Sequence, residues 1–258
     1  MKKILAIFLM LACVLSFASC NITNIFNKNN GNGGGNGGQT NTDVISNYKN
    51  MYAASVPTKS VTTITEAYEK NTLVSVHSLT TGQIDGKVAT RLDSTVQTLN
   101  DVSLDDANKL TLNPIRTQKS SQWYYEGKGV SYNSGKTWDE NGVNFAPVAG
   151  SISINLDESN FKSVNHTVEG GVETLVLEVD ADKMDVVLSN FMYEGQTFGY
   201  DATVTIVSAG GRISSILIEY VVEQYEIGEM DTEVVISEIN MSIRVDYSYD
   251  LQDISFDN

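Results

Sequence analysis

The sequence predicts a mainly β fold of the α+β class: a long, curved antiparallel sheet closed by a few short helices. Three observations predict it. Ile239, Met241, Ile243, Val245, Tyr247 and Tyr249 alternate without a break with Glu238, Asn240, Ser242, Arg244, Asp246 and Ser248. Period two of this kind requires an antiparallel strand with one dry and one wet face. The strand around it, Thr232 to Asp250, extends about 60 Å at about 3.3 Å per residue, far beyond an ordinary strand. A strand of that length belongs in a strongly twisted, curved sheet. Finally, β-branched runs recur between Gly-Gly and Asp-Gly turn signals, while helical spacing is confined to short stretches.

The elements follow in order. Val44, Ile45, Tyr48, Met51 and Tyr52 have helical spacing, with Asp43 as cap and Pro57 as stop. Lys59–Lys70, Leu73–Leu79 and Lys87–Leu99 read as strands, with turns expected at Thr81-Gly82 and Asp85-Gly86. Asp101–Ser120 is polar, contains Pro114 and reads as a crossing loop. Gln122–Trp138 reads as an aromatic hairpin, bending at Gly127-Lys-Gly129 and Asn133-Ser-Gly135. Ser151–Leu156 is a possible strand, and Asp157 a candidate cap for a short helix through Phe161 and Val164. Gly170-Gly171 turns into the strand Val172–Val179. Asp180 or Asp182 then caps a helix holding Met184, Val187, Leu188 and Phe191. Ala202, Val204 and Ile206 lead to the hairpin turn Ala209-Gly-Gly-Arg212. Ile216, Ile218, Tyr220 and Val222 alternate on the return, and Gly228–Asp231 turns into the last strand.

The N-terminus has a different character. Met1-Lys2-Lys3 precedes an unbroken apolar run from Ile4 to Leu15, followed by small Ala18 and Ser19. This is the layout of an export signal, residues 1–19. Its apolar run is shorter than the roughly 20 residues of a transmembrane helix. Phe17-Ala18-Ser19-Cys20 resembles a bacterial lipobox, with Phe17 where leucine is usual. The resemblance implies that Cys20 is acylated and becomes the first mature residue. The alternative is an ordinary secretory signal with an incidental cysteine. A lone exported thiol is a liability in an oxidising compartment, whereas an acylated one is an anchor. Two or more acyl chains, palmitate-like, hold a protein stably on a membrane. Twelve of the sixteen residues from Asn27 to Thr42 are Asn or Gly. Residues 20–43 therefore read as the lipidated cysteine and a flexible tether, with an r.m.s. reach of roughly 25 Å and a stretched reach of about 80 Å. Residues 44–258 read as one domain. The expected location is the outer face of a cell membrane, in an envelope of either Gram type.

Composition excludes several functions. The chain carries 17 Lys and Arg against 32 Asp and Glu, a net charge of −15. Losing Lys2 and Lys3 with the signal makes the mature chain −17. That charge repels phosphate backbones, so no nucleic-acid partner is expected, and it argues against a polybasic grip on anionic lipid. Cys13 and Cys20 are the only cysteines, so the mature fold has no internal disulfide, no cysteine-based zinc site and no catalytic thiol. The sequence contains no GxSxG elbow, Walker loop, HExxH or post-strand GxGxxG. No catalytic residue, metal or cofactor is expected, and the protein does not read as an enzyme. His77 stands among Leu and Val and reads as a hydrogen-bonded, partly buried histidine. Asp180-Ala-Asp182-Lys-Met-Asp185 loosely evokes a calcium loop, but Met184 stands where an oxygen ligand belongs, and capping explains the acids better.

The order of elements is similar to that of half-barrel lipoproteins, the lipoprotein-carrier (LolA/LppX-like) superfamily, over about residues 44–258. The order comprises a first helix, long strands, the aromatic Gln122-Trp123-Tyr124-Tyr125-Glu126-Gly127 hairpin, an inserted helix and the Ala202–Tyr249 meander. It also resembles surface lipoproteins of Gram-positive type. The resemblance implies a half-barrel wrapped around its helices, with an apolar cavity for a lipid-like or other hydrophobic small molecule, held for transport or sensing. Candidate ligand residues are Trp123, Tyr125, Tyr132 and Trp138 of the hairpin, with Ile218, Tyr220, Met241, Ile243 and Val245 of the meander. The hairpin aromatics also suit plain cross-strand packing, or stacking on sugar. The alternative function is a non-enzymatic surface protein with a solid core that binds a protein partner or wall glycan.

Overall fold

The computed structural model describes residues 40–54, 56–69, 71–84, 86–99, 115–125, 128–132, 136–138, 154–187, 196–198, 200–227, 233–250, 252 and 254. The signal, Cys20, the tether up to residue 39, the 101–114 connection, Leu188, Phe191 and the Gly228–Asp231 turn lie outside the described residues, as do the side chains of Tyr125, Tyr132 and Trp138.

The fold is mostly β, as expected. Helix α1 (Asn41–Ala54) leads into a sequence of antiparallel strands. The first group is β1 (Lys59–Ala67), β2 (Thr72–Ile84), β3 (Lys87–Leu99), β4 (Ile115–Tyr125), β5 (Lys128–Tyr132) and β6 (Lys136–Trp138). The second is β7 (Phe161–Glu169), β8 (Val172–Val179), β9 (Gln196–Phe198), β10 (Ala202–Ala209), β11 (Arg212–Ile227) and β12 (Glu233–Ser248), with the short helix α2 (Met184–Val187) before β9. Among the described residues these form a single 12-stranded sheet ordered β6-β5-β4-β3-β2-β1-β12-β11-β10-β8-β7, with β9 pairing to β11. Among the described residues the two end strands do not pair with each other, so the sheet is open. Its two halves are joined where β1 pairs with β12, from Lys59 opposite Ser248 to Ala67 opposite Asn240. Among the described residues, no helix is long and apolar enough to cross a membrane.

Register defines two faces. Directly paired residues share a face, so Val245 lies in a row with Ile216 and Thr62, and Thr62 with His77, Ser94 and Ser120. We call this the inner face. Helix α1 lays Val44, Ile45 and Tyr48 against it, over β8, β10, β11 and β12. Leu175, Leu177, Val204, Ile206, Ile216 and Ile218 beneath it are completely buried. Burying each such side chain contributes about 1.5–3 kcal/mol. The alternation expected in β12 holds: Ile239, Met241, Ile243 and Val245 are buried, whereas Glu238, Asn240 and Arg244 are exposed.

Several local expectations are corrected. Helix α1 begins inside the stretch read as tether, and its cap is Thr40 rather than Asp43. Asp43 donates its backbone N–H to Thr40 Oγ1 (3.2 Å), and its carboxylate accepts from the Thr40 N–H (3.1 Å). That reciprocal pair is a capping box; the Thr40 hydroxyl and N–H hold the Asp43 carboxyl below its usual pKa. Strand β2 runs straight through Thr81-Gly82, and the turn comes only at Gly86, with φ of 77°. Ile115–Ser120 belongs to β4 rather than to a loop, because its backbone completes the ladder with β3 whatever its side chains. Asp157 does cap, accepting from Ser159 N at 3.0 Å, but it caps one 3-10 turn (Glu158–Asn160). Phe161 and Val164 then enter strand β7, because pairing with β8 overrides their helix-like spacing. Ile154 and Leu156 are buried without forming a strand, since Asn155 donates to the Val187 carbonyl instead. Asp180 occupies a cap position with no capping bond. It pairs with Lys162, which also meets Asp201 at 2.7 Å. Strand β9 had no signal in the sequence. The Gly170-Gly171 and Gly210-Gly211 turns form as read, all four glycines having positive φ.

Candidate functional site

The inner face changes character along the sheet. Under α1 it is mostly apolar, interrupted by Ser208 and His166 beside Tyr48. From β12 onward it continues across β1, β2, β3 and β4 as a mixture. Ile64, Leu79 and Leu92 stand among Ser60, Thr62, His77, Thr90, Ser94 and Tyr124, in one face by register. Ser60, His77, Thr90, Leu92, Ser94 and Tyr124 are all buried. Strand β12 is the border between these regions: Met241 stands opposite Glu66, Ile243 opposite Ile64, and Val245 opposite Thr62.

The polar groups in this region are matched to one another. His77 Nδ1 and Ser94 Oγ lie 3.0 Å apart on directly paired residues. Burial lowers the His77 pKa from its ordinary value, so the ring is neutral near pH 7. Tyr124 donates to Gln122 Oε1 at 3.1 Å. Just beyond the end of β1, Tyr68 donates to Glu66 Oε2 at 2.9 Å. Burial raises the Glu66 carboxyl above its usual range, against the opposing effect of the Tyr68 hydroxyl. Burial, then the Glu66 charge, pushes Tyr68 up. Tyr247, packed against the core, is raised chiefly by burial and then by Tyr52 and Tyr249. Tyr68 and Tyr247, both packed against the helix-covered core, therefore stay un-ionised.

The His77 environment makes stability depend on pH in a defined direction. A histidine whose folded pKa lies below its unfolded value binds fewer protons when folded. Stability is then fully present above about pH 6.5 and falls as pH drops below it, by at most about 1.4 kcal/mol per pH unit. A His77→Gln variant should lack this part of the acid limb. Urea titrations of both proteins between pH 7 and 5 read the difference; parallel curves would contradict a depressed His77.

The candidate ligand residues divide between the faces. Ile218, Tyr220, Met241, Ile243 and Val245 come together on the inner face, buried in the main core. Trp123 lies on the opposite face: it pairs with Arg91, one residue out of phase with the row that carries Leu92 and Gln122. There it is buried with Ile254 and Ile84 in a separate small cluster. The register places Trp138 opposite Val130 and Val130 opposite Trp123, with Tyr132 opposite Ser121 and Tyr125 opposite Ala89. The hairpin positions thus align with Trp123, not with the meander residues. Sequence reasoning missed Glu66, Tyr68 and Ser94. Glu66 and Tyr68 are partners two residues apart, a spacing that period two already places on one face, whereas pairing Ser94 with His77 needs the register of β2 with β3.

Among the described residues, no group of three or more His, Cys, Asp and Glu is arranged to hold a metal ion. His166, edge-on to Tyr48 at 6.0 Å, sits 3.4 Å from Glu173 at the far side of the sheet from His77. Compared with known proteins, the chain matches no protein-family model and no curated protein.

Proposed function

We propose that the protein is a lipid-anchored, extracytoplasmic binding protein of half-barrel type, tethered to the outer face of a membrane through Cys20. Its sheet would wrap around α1 and α2 and take a hydrophobic, lipid-like small molecule for transport or sensing, without catalysis. The observation that supports this is the change in the inner face at β12. A mostly apolar surface under α1, interrupted by Ser208 and His166, passes into one where Ile64, Leu79 and Leu92 alternate throughout with hydroxyl and imidazole groups. That mixture suits an amphiphile, because ligand sites are mostly apolar with a few fixed polar groups. Met241, Ile243 and Val245 on the border strand would then contact the apolar part of the ligand.

A photoreactive amino acid tests this. Placed at Ile64 on the inner face, it should capture an adduct of lipid mass upon irradiation of intact cells. Placed at Thr63, its neighbour on the other face, it should not. Equal labelling, or none at Ile64, contradicts the reading.

A second reading has its own support. The side chains under α1 are as tightly enclosed as any protein core, Leu175 and Ile218 completely so. A solid core of that kind suits a surface protein that binds a protein partner or wall glycan with its outer face. Crosslinking on intact cells that enriches one such partner, with no lipid adduct at Ile64, would favour it.

A further inference from the structure

Gly82 sits within strand β2, paired with Ala89, and its backbone needs no positive φ. Conformation therefore does not explain the glycine; close approach does. A Cβ there would collide with the Gln252 carbonyl oxygen and lie 2.8 Å from Ile254 Cγ1. The last described residues of the chain lie directly over a bare patch of strand backbone. After β12 the chain is held at Thr58, whose N–H donates to the Ser248 carbonyl at 2.9 Å and whose hydroxyl also reaches it. It then passes over β2 on the face opposite α1, where Ile254 packs with Trp123 and Ile84. Trp123 and Ala89 are almost completely buried. The Arg91 guanidinium lies over the Trp123 ring at 5.0 Å and pairs with Asp93, which also accepts from Ser121 at 2.6 Å. The notch thus has a floor of glycine and alanine, an aromatic wall, and a charged pair holding that wall. Gln252 and Ile254 belong to no strand, and the Gln252 amide donates back to the Asp250 carbonyl at 3.0 Å.

We propose that this notch is a peptide-binding site filled in cis, and that the C-terminal segment is a detachable clasp whose anchor is Ile254. The ligand class is an extended peptide that presents one β-branched aliphatic side chain beside a backbone carbonyl. The two recognition elements are separable: the apolar wall takes the side chain, and Gly82 admits the main chain. A short connection gives the tethered segment an effective concentration on the order of 1 mM. A clasp that is mostly closed therefore needs a dissociation constant in trans at or below about 1 mM.

The test uses the chain with Trp138→Phe, so that Trp123 is the only tryptophan, with residues 251–258 deleted. Deletion should raise acrylamide quenching of Trp123 while the β circular dichroism persists. A synthetic peptide of residues 251–258 should reverse the quenching with a dissociation constant of about 1 mM or less; the same peptide carrying Ile254→Ala should not. In the deleted chain, Gly82→Ala should leave thermal stability unchanged or raised, since alanine suits a strand better than glycine. It should also weaken the peptide about tenfold or more, the scale of an overpacked contact. The proposal is overturned if deletion leaves Trp123 quenching unchanged, if the peptide does not bind, or if Gly82→Ala leaves its affinity intact. Loss of the β signal on deletion overturns it equally, because the segment is then part of the fold rather than a clasp.

Discussion

Replacing Ile218 with alanine is expected to lower the unfolding free energy by about 2–5 kcal/mol, a large share of the roughly 5–15 kcal/mol typical of a domain. Ile218 is completely buried. It stands between Val204 of β10 and Ile243 of β12 in the ladder, within the cluster that includes Val44, Ile45 and Tyr48 of α1. Neighbours fixed by backbone hydrogen bonds on both sides cannot close over the lost methyl groups, so the cavity remains and its cost adds to the lost transfer energy. Glu219 is the control. It is the next residue along the same strand, exposed on the other face, and Glu219→Ala should stay within about 0.5 kcal/mol. Urea midpoints at unchanged slope measure both. Equal shifts would mean that the faces are wrongly assigned.

The second large effect concerns location. Cys20→Ser should move the chain from the membrane pellet to the soluble fraction, because a serine hydroxyl cannot carry the thioether-linked lipid. Acyl chains contribute about 0.8 kcal/mol for each buried methylene, and two or more make attachment stable. No other attraction is expected to replace them. The chain is strongly acidic, which disfavours anionic lipid headgroups. Fractionation with and without detergent reads the outcome; a Cys20→Ser chain that has lost residues 1–19 and still stays in the pellet refutes the anchor.

The parts of this fold that were legible in the sequence are those fixed by short-range rules. β3 and β8 appear at the expected bounds, Lys87–Leu99 and Val172–Val179, and the parity of β12 specified its buried face. The Gly-Gly turns were legible because a two-residue hairpin loop needs positive φ at both central positions. The parts that were not legible depend on partners distant in sequence. Phe161 and Val164 have the spacing of a helix and become strand only because β8 lies beside them. Ile115–Ser120 is polar and becomes strand because β3 offers a ladder. Gly82 read as a turn because glycine usually marks one, whereas its reason lies 172 residues further on, at Ile254. The placement of the candidate site residues depends on distant partners in the same way. Nothing local to Trp123 or Val245 reveals that they occupy opposite faces, since that follows from register carried across β12, β1, β2, β3 and β4. Each of those pairings must be known, because a slip of one residue in any of them exchanges the faces.

The proposed function requires an acylated chain whose inner face holds a hydrophobic guest. Native mass spectrometry of the protein extracted in detergent from its own cells tests this most directly. The predicted result is a chain beginning at a diacyl- or triacyl-modified Cys20 that carries an additional noncovalent mass of lipid size, released on collisional activation. A chain observed only at its bare covalent mass, with an unmodified thiol at Cys20 and nothing to release, would contradict it.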